Sequence, residues 1–204
     1  MSAASTGWRR AARWVSAIAL GGVLSAACAA PAPAPGGDFT LTDHHGEPFH
    51  LASTRGKVVV IFFGYSMCPD VCPTTLSKLA SVARRLGDQR DLVKTLYISV
   101  DPERDTPEVL KADLEYFPLD ALGLTGTREE VDRVVAQFGA EYRIVPTPES
   151  AGRYAVTHTT TLYVLDQGGR VRLTFPYEAT TDEIVTGIRS LLGPADAPEE
   201  GTRR

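Results

Sequence analysis

Cysteine and histidine are both scarce in this chain of 204 residues, which has three cysteines and four histidines. One cysteine, Cys28, follows a segment with the features of an export signal, so Cys68 and Cys72 are the only cysteines beyond it. Any cysteine chemistry of the mature protein therefore depends on this one pair. Any metal site that uses imidazole can draw on very few side chains.

Excess positive charge is also missing. The chain has 21 lysines and arginines against 25 acidic residues, and its formal net charge is -4 at pH 7. Nucleic-acid-binding domains present concentrated basic surfaces, so the composition argues against a nucleic-acid partner. No internal repeat is visible, and the length suits one ordinary domain better than two.

The N-terminus has the pattern of a signal peptide. Three arginines within the first 13 residues precede an uncharged apolar run, Trp14–Ala27, which is too short to be assigned as a membrane span. Small residues lead directly into Cys28, so lipidation of Cys28 is one alternative. Cleavage just beyond it and retention as an uncleaved anchor are the others. We expect an extracytoplasmic protein, on the periplasmic or outer-surface side, attached to the membrane by a lipid anchor or an uncleaved signal.

Composition shifts divide the chain into four segments. Residues 1–27 are predicted to be the signal sequence or membrane anchor, and 28–37 a tether of Ala, Pro and Gly. Residues 38–193 form the folded domain, and 194–204 form a flexible polar tail.

The folded segment alternates strand and helix patterns. An N-terminal hairpin turns at 43–46, and the unbroken apolar run 57–63 is typical of a central strand covered on both faces. The further elements are a helix ending at Gly87, a strand at 92–100, helices near 106–116 and 131–138, strands at 142–145, 159–165 and 170–175, and a closing helix at 184–192. This order predicts an α/β protein with a thioredoxin-like fold, an N-terminal β-hairpin and a central helical insertion.

Cys68 and Cys72 lie where the central strand gives way to a helix. Pro73 would clash deep inside a helix but fits at its first position, which places Cys72 at the N-cap and Cys68 in the preceding turn. A helix start favours thiolate, and the turn allows the two sulfurs to form a disulfide. The position favours a metal-binding or redox role over two inert buried residues or a purely structural disulfide.

Only four histidines could complete a metal site. His44, His45 and His50 lie in or beside the hairpin, where we expect solvated side chains. His158 precedes the apolar strand, and the segment entering that strand of a thioredoxin-like sheet passes beside the cysteine turn. Two thiolates and an imidazole suit Cu(I), or Cu(II) with a further oxygen ligand, and zinc would also accept them. Spacing alone leaves a structural role for His158 open.

Three motifs in order resemble the Sco/SenC family of copper-binding thioredoxin-fold proteins. They are Phe-Gly-Tyr-Ser-Met-Cys-Pro-Asp-Val-Cys-Pro at 63–73, Ile-Ser-Val-Asp-Pro-Glu-Arg-Asp-Thr-Pro at 98–107 and Thr-His-Thr at 157–159. The resemblance implies that Cys68, Cys72 and His158 ligate copper, as Cu(I), Cu(II) or both. It also implies delivery of copper to, or assembly of, the dinuclear copper centre of cytochrome c oxidase subunit II, or of another extracytoplasmic copper protein.

Two functions remain open at this point. One is a metallochaperone, and the other is a membrane-tethered thiol–disulfide oxidoreductase that reduces the cysteines of the copper acceptor. In the second, Cys68 would attack and Cys72 would resolve, leaving a Cys68–Cys72 disulfide. Asp101, at the end of its strand, is either a site residue or the start of a turn. Thr157 departs from the resembled family, whose members often have an acidic residue there.

Overall fold

The computed structural model describes residues 36–146 and 154–193, and all structural statements concern these residues. The predicted signal sequence or anchor, Cys28, most of the tether and the tail at 194–204 lie outside them, so the predictions for those segments remain predictions. Within the described part, no helix is long and apolar enough to cross a membrane.

The described residues contain nine strands and four α-helices. They are β1 (Thr40–Asp43), β2 (Pro48–His50), β3 (Val58–Gly64), α1 (Val71–Leu86), β4 (Val93–Ser99), α2 (Pro107–Leu114), β5 (Ala121–Thr125), α3 (Arg128–Gln137), β6 (Tyr142–Pro146), β7 (Tyr154–His158), β8 (Leu162–Leu165), β9 (Val171–Phe175) and α4 (Thr181–Leu192).

Seven strands form the central sheet, in the order β2-β1-β5-β4-β3-β8-β9. Strands β3, β4 and β5 are parallel, and the hairpin β1–β2 and strands β8 and β9 add antiparallel edges. Every residue of β3 is buried, as the unbroken apolar run predicts. The predicted α/β, thioredoxin-like class with an N-terminal hairpin is confirmed.

The central insertion differs in detail from the prediction, because it contains strand β5 as well as helices. The segment Ala121–Thr125 is short and interrupted by Gly123, so its pattern did not indicate a strand. It becomes one by pairing with β4 on one side and β1 on the other. Tertiary pairing, rather than local propensity, decides its structure.

Strands β6 and β7 form a separate two-stranded sheet, here called the ribbon. Its register runs from Tyr142 opposite His158 to Pro146 opposite Tyr154. The strand predicted at 159–165 begins only at Leu162, residues 159–161 belong to no strand, and Tyr154–His158 form a separate strand, β7. The expectation that His158 directly precedes the apolar strand is therefore corrected, since His158 is the last residue of its own strand.

The end of β3 approaches its neighbours closely at Gly64. A Cβ atom at this position would lie 2.6 Å from Cε2 of Tyr97 and 2.9 Å from Sγ of Cys72. Both neighbours are buried, so neither side chain can move away without disturbing the core. The absence of a side chain at Gly64 is therefore what lets the Cys72 sulfur lie against the sheet.

We predict that Gly64→Ala destabilises the protein. Gly-to-Ala changes at unstrained positions normally stabilise by about 0.4–1 kcal/mol, whereas overpacking costs about 1–3 kcal/mol, so the sign of the change is the test. Urea unfolding of the reduced, metal-free protein measures it. In a Tyr97→Leu background the same Gly64→Ala change should cost less, because the nearest contact atom is gone. A Gly64→Ala protein at least as stable as the wild type would contradict the close approach.

Candidate metal centre

Helix α1 places Cys72 in its first turn. The helix starts at Val71 with Asp70 at the N-cap, so the prediction that Cys72 is the N-cap residue is wrong by two positions. Pro73 is the third helical residue, whose missing N–H would have no intrahelical partner in any case. Proline therefore excluded a position deep in the helix, but it could not distinguish between positions within the first turn.

Cys68 lies in the turn between the end of β3 and the start of α1. The Cys68 N–H donates to the Tyr65 carbonyl over 3.2 Å. Ser66 donates to the Asp105 carboxylate from its backbone N–H (3.0 Å) and from its hydroxyl (2.5 Å). Asp105 is buried and also accepts from the Ser99 hydroxyl over 2.6 Å. A buried carboxylate thus ties the cysteine turn to the end of β4.

His158 has a defined ring orientation. Its Nδ1 lies 3.0 Å from the Thr159 carbonyl oxygen, which can only accept, so Nδ1–H is the donor. In the neutral ring this leaves a lone pair on Nε2, which lies 3.4 Å from Cys72 Sγ. Phe62 and Tyr65 contact the ring edge to face, at centroid distances of 6.0 and 5.8 Å. The nitrogen available to a metal is therefore the one that faces the cysteine.

The structure brings Cys68, Cys72 and His158 together, with their ligand atoms all within 4.8 Å of one another. They are the one group of three such side chains found in the described part of the chain. Cys72 is buried, while Cys68 and His158 are partly exposed. Two sulfurs and one imidazole nitrogen at this spacing fit a soft, low-coordinate ion such as Cu(I).

The two cysteines differ strongly in acidity. The pairing of the two sulfurs is the largest cause that lowers the pKa of Cys68 to about 4, and His158 lowers it further. The backbone N–H of Cys72 also donates to the Cys68 sulfur, over 3.4 Å. The same pairing, with burial, raises the pKa of Cys72 far above its usual value. In the reduced, metal-free state the pair is a half-exposed thiolate beside a buried thiol.

The other predicted residues lie outside this group. His45 and His50 are exposed, as expected, whereas His44 is partly buried and accepts from the Gly123 N–H over 3.1 Å. Asp70 and Thr157 are both exposed. Because residue 157 is a threonine, it offers no carboxylate beside His158. The three hairpin histidines therefore do not belong to the group at the cysteine turn.

Asp101 is fully buried, and its carboxylate binds Arg104 and Tyr154. Its backbone carbonyl also begins a turn, accepting from the N–H groups of Arg104 and Asp105. No sequence pattern singled out Tyr65, Arg104 or Asp105 as site residues. All three fall within the quoted motifs, so the signal was present, but their partners are distant in sequence.

Comparison with known proteins identifies the family. Residues 29–193 match the family described as SCO1/SenC. The chain belongs to the SCO1/SenC family. An SCO2-like protein of Rickettsia felis is 33% identical over 154 residues, which cover 76% of this chain and 75% of that protein.

Solved SCO1/SenC structures share the fold. Bradyrhizobium japonicum ScoI with copper bound is 39% identical, with a TM-score of 0.72 over 78% of this chain and 100% of that one. A SCO1/SenC family lipoprotein from Bacillus anthracis is 26% identical, with a TM-score of 0.66 over 78% of this chain and 95% of that one. Membership of the SCO1/SenC family thus agrees with the resemblance drawn from the three motifs.

For this SCO1/SenC member we predict that alkylation of Cys68 is insensitive to pH between 6 and 8. A pKa of about 4 means that the thiolate is already formed above about pH 5 and is lost only in stronger acid. Rates of iodoacetamide labelling in the reduced, metal-free protein, followed by mass spectrometry, measure it. In Cys72→Ala the largest cause of the lowered pKa is gone, so the rate should rise with pH in this range, toward the behaviour of a free thiol of pKa about 8.5. The same rise in the wild type would refute the asymmetric pair.

Proposed function

We propose that this protein is a copper metallochaperone that holds the ion between Cys68, Cys72 and His158. The observation that carries the proposal is the convergence of these three soft ligand atoms within 4.8 Å at one end of the sheet. Membership of the SCO1/SenC family and the likeness to a copper-bound ScoI structure support it. Copper is the cargo, and the protein's task is to present it to an acceptor.

The unequal exposure of the ligands suits transfer by ligand exchange. Cys72 is buried at the sheet end, whereas Cys68 lies on the open side of the site. An acceptor thiolate can therefore replace Cys68 first, while Cys72 and His158 still hold the ion. Met67, next to Cys68, exposes 66% of its surface and offers an apolar contact beside the exit. The exchange needs no step in which the ion is free.

The acceptor and the location are part of the proposal. We infer that the acceptor is cytochrome c oxidase subunit II or another extracytoplasmic copper protein, as the family resemblance implies. Export and attachment at the membrane follow from the signal pattern, the tether and Cys28. The Bacillus anthracis relative, which is described as a lipoprotein, supports a lipid anchor as one form of attachment.

We predict that the reduced protein binds one Cu(I) per chain and that His158→Ala weakens the affinity at least tenfold. Losing one of three ligands leaves a two-thiolate site with an open position. Anaerobic titration against a competing Cu(I) chelator measures the affinity. His50→Ala is the matched control, because His50 is exposed and bonds only Thr40 among the described side chains. A His158→Ala protein with wild-type affinity would exclude the three-ligand site.

Thiol–disulfide exchange is a second candidate function, and the cysteine asymmetry favours it. The Cys68 thiolate would attack one sulfur of an acceptor disulfide, and the other acceptor sulfur would leave as a thiolate. The Cys72 thiol would then give its proton to the acceptor thiolate that has left, and its sulfur would displace the first acceptor sulfur from Cys68. The acceptor gains two electrons, and this chain ends as a Cys68–Cys72 disulfide. Because copper binding needs the reduced pair, the two functions are mutually exclusive in time but compatible in one protein.

We predict that Cys72→Ser accumulates a mixed disulfide with a model acceptor peptide that contains a cystine, because Cys68 can still attack but nothing resolves the adduct. Cys68→Ser should accumulate far less, since the remaining thiol is buried. Non-reducing gels and mass spectrometry identify the adduct. More adduct with Cys68→Ser than with Cys72→Ser would reverse the roles. Adding His158→Ala to Cys72→Ser should still give the adduct, because His158 takes no part in the exchange.

A further inference from the structure

The three ligands belong to two separately built parts of the domain. Both cysteines lie on the β3–α1 turn, whereas His158 ends strand β7 of the ribbon. The ribbon strands pair with each other and belong to a different sheet from the other seven strands. The distance from His158 to the sulfurs therefore depends on whatever holds the ribbon against the body of the domain.

One contact is made by Arg104, which follows β4. Its guanidinium lies over the Tyr154 ring, 3.8 Å from the centroid, and its Nη1 donates to the Tyr154 carbonyl over 3.1 Å. Its Nε donates to Asp101, and the Tyr154 hydroxyl donates to the same carboxylate over 2.7 Å. Asp101 is fully buried, so the three residues form a closed, charge-paired cycle at the start of β7.

A second contact is made by Arg128, the first residue of α3. Its Nη1 donates to the Tyr142 hydroxyl over 2.7 Å and to the Val100 carbonyl over 3.0 Å. Tyr142 pairs directly with His158 in the ribbon register. Arg104 thus holds the far end of β7, and Arg128 holds the point opposite the histidine. Both arginines are anchored on the segment that follows β4.

Tyr65 connects these contacts to the cysteine turn. It is buried, its hydroxyl accepts from the Val156 N–H over 3.4 Å, and its ring meets the His158 ring at 5.8 Å. The Arg104 guanidinium lies 5.7 Å from the centre of the same ring. Arg104 therefore lies between an aromatic ring of the turn and an aromatic ring of the ribbon.

We propose that Arg104 and Arg128 are positioning residues that fix the ribbon so that His158 Nε2 faces the cysteine pair. Neither arginine belongs to the group of ligand side chains, so each acts through His158 and not on the ion. The inference rests on the proposed copper site. Arginine suits the task because its planar head stacks on tyrosine while its N–H groups donate in fixed directions, which lysine cannot reproduce.

The first test uses metal-free protein. Arg104→Lys and Arg128→Lys keep the charge and lose the stacking and the directed hydrogen bonds. Hydrogen exchange should become at least tenfold faster at the amides of Val156 and Thr159, which donate to Tyr65 and Glu141, and stay unchanged in β3 and β4. Arg170→Lys is the matched control, since Arg170 pairs with Asp166 on the β8–β9 turn. Unchanged exchange in the ribbon overturns the proposal, whatever copper does.

The second test is a double-mutant cycle with Cu(I) affinity as its readout. Arg104→Lys should weaken affinity about 10- to 100-fold in the wild type, the range typical of outer-shell partners of metal ligands. In the His158→Ala background it should have no further effect, because it acts only through that ring. An equal loss in both backgrounds would mean that Arg104 supports the fold or the cysteines instead, and overturns positioning.

Two outcomes separate this inference from the function on which it rests. If His158→Ala binds Cu(I) as the wild type does, the three-ligand site fails and positioning fails with it. If His158 contributes and Arg104→Lys leaves that contribution intact, only the positioning role fails. Tyr154→Phe, which removes a single hydroxyl, carries both tests if a lysine variant does not fold, with the same signs and smaller changes.

Discussion

The burial of strand β3 over its whole length is the constraint on which the rest of the site depends. All seven of its residues are buried, with β4 on one side and β8 on the other. Its last residue, Gly64, accepts from the Val100 N–H over 2.8 Å, so the two segments that leave the sheet start from one fixed point. One is the cysteine turn, and the other is the loop with Asp101, Arg104 and Asp105. Asp105 then joins the two by bonding Ser66.

The pair of cysteines combines two demands that usually conflict. A copper carrier needs two thiolates that converge, and a reductant needs one reactive thiol and one held in reserve. The pairing of the sulfurs meets both demands, since it lowers the pKa of Cys68 and raises that of Cys72, which keeps its proton. An ion displaces that proton and gains both sulfurs as ligands. A disulfide acceptor meets the exposed thiolate first, with the buried thiol behind it.

Sequence patterns predicted those parts of the fold that depend on local burial. The central strand, the hairpin and the closing helix all follow from apolar periodicity. Strands β5 and β7 were not predicted from such periodicity. Strand β5 depends on its pairing with β1 and β4, and β7 pairs with β6, most of whose residues are exposed. The predicted N-cap of α1 was two residues too late, because Pro73 fits the third helical position as well as the first. Asp70, the actual N-cap, makes no side-chain cap bond. Spacing found the cysteines, and the position of His158 before an apolar strand made it the candidate third ligand, but only the family resemblance implied that it binds the metal.

The contacts that hold His158 could not be read from the sequence for a different reason. Arg104 and Arg128 have no periodicity, and their tyrosine partners lie 50 and 14 positions away in the chain. Such contacts exist only after the sheet and helix α3 have formed, so no local pattern encodes them. The separate anchoring of the ribbon has a consequence for the site. The two cysteines lie on one element, and the histidine comes from another that has its own anchors. His158 therefore keeps its place beside the buried Cys72 when an acceptor thiolate replaces the more exposed Cys68, which is what transfer of an ion by ligand exchange requires.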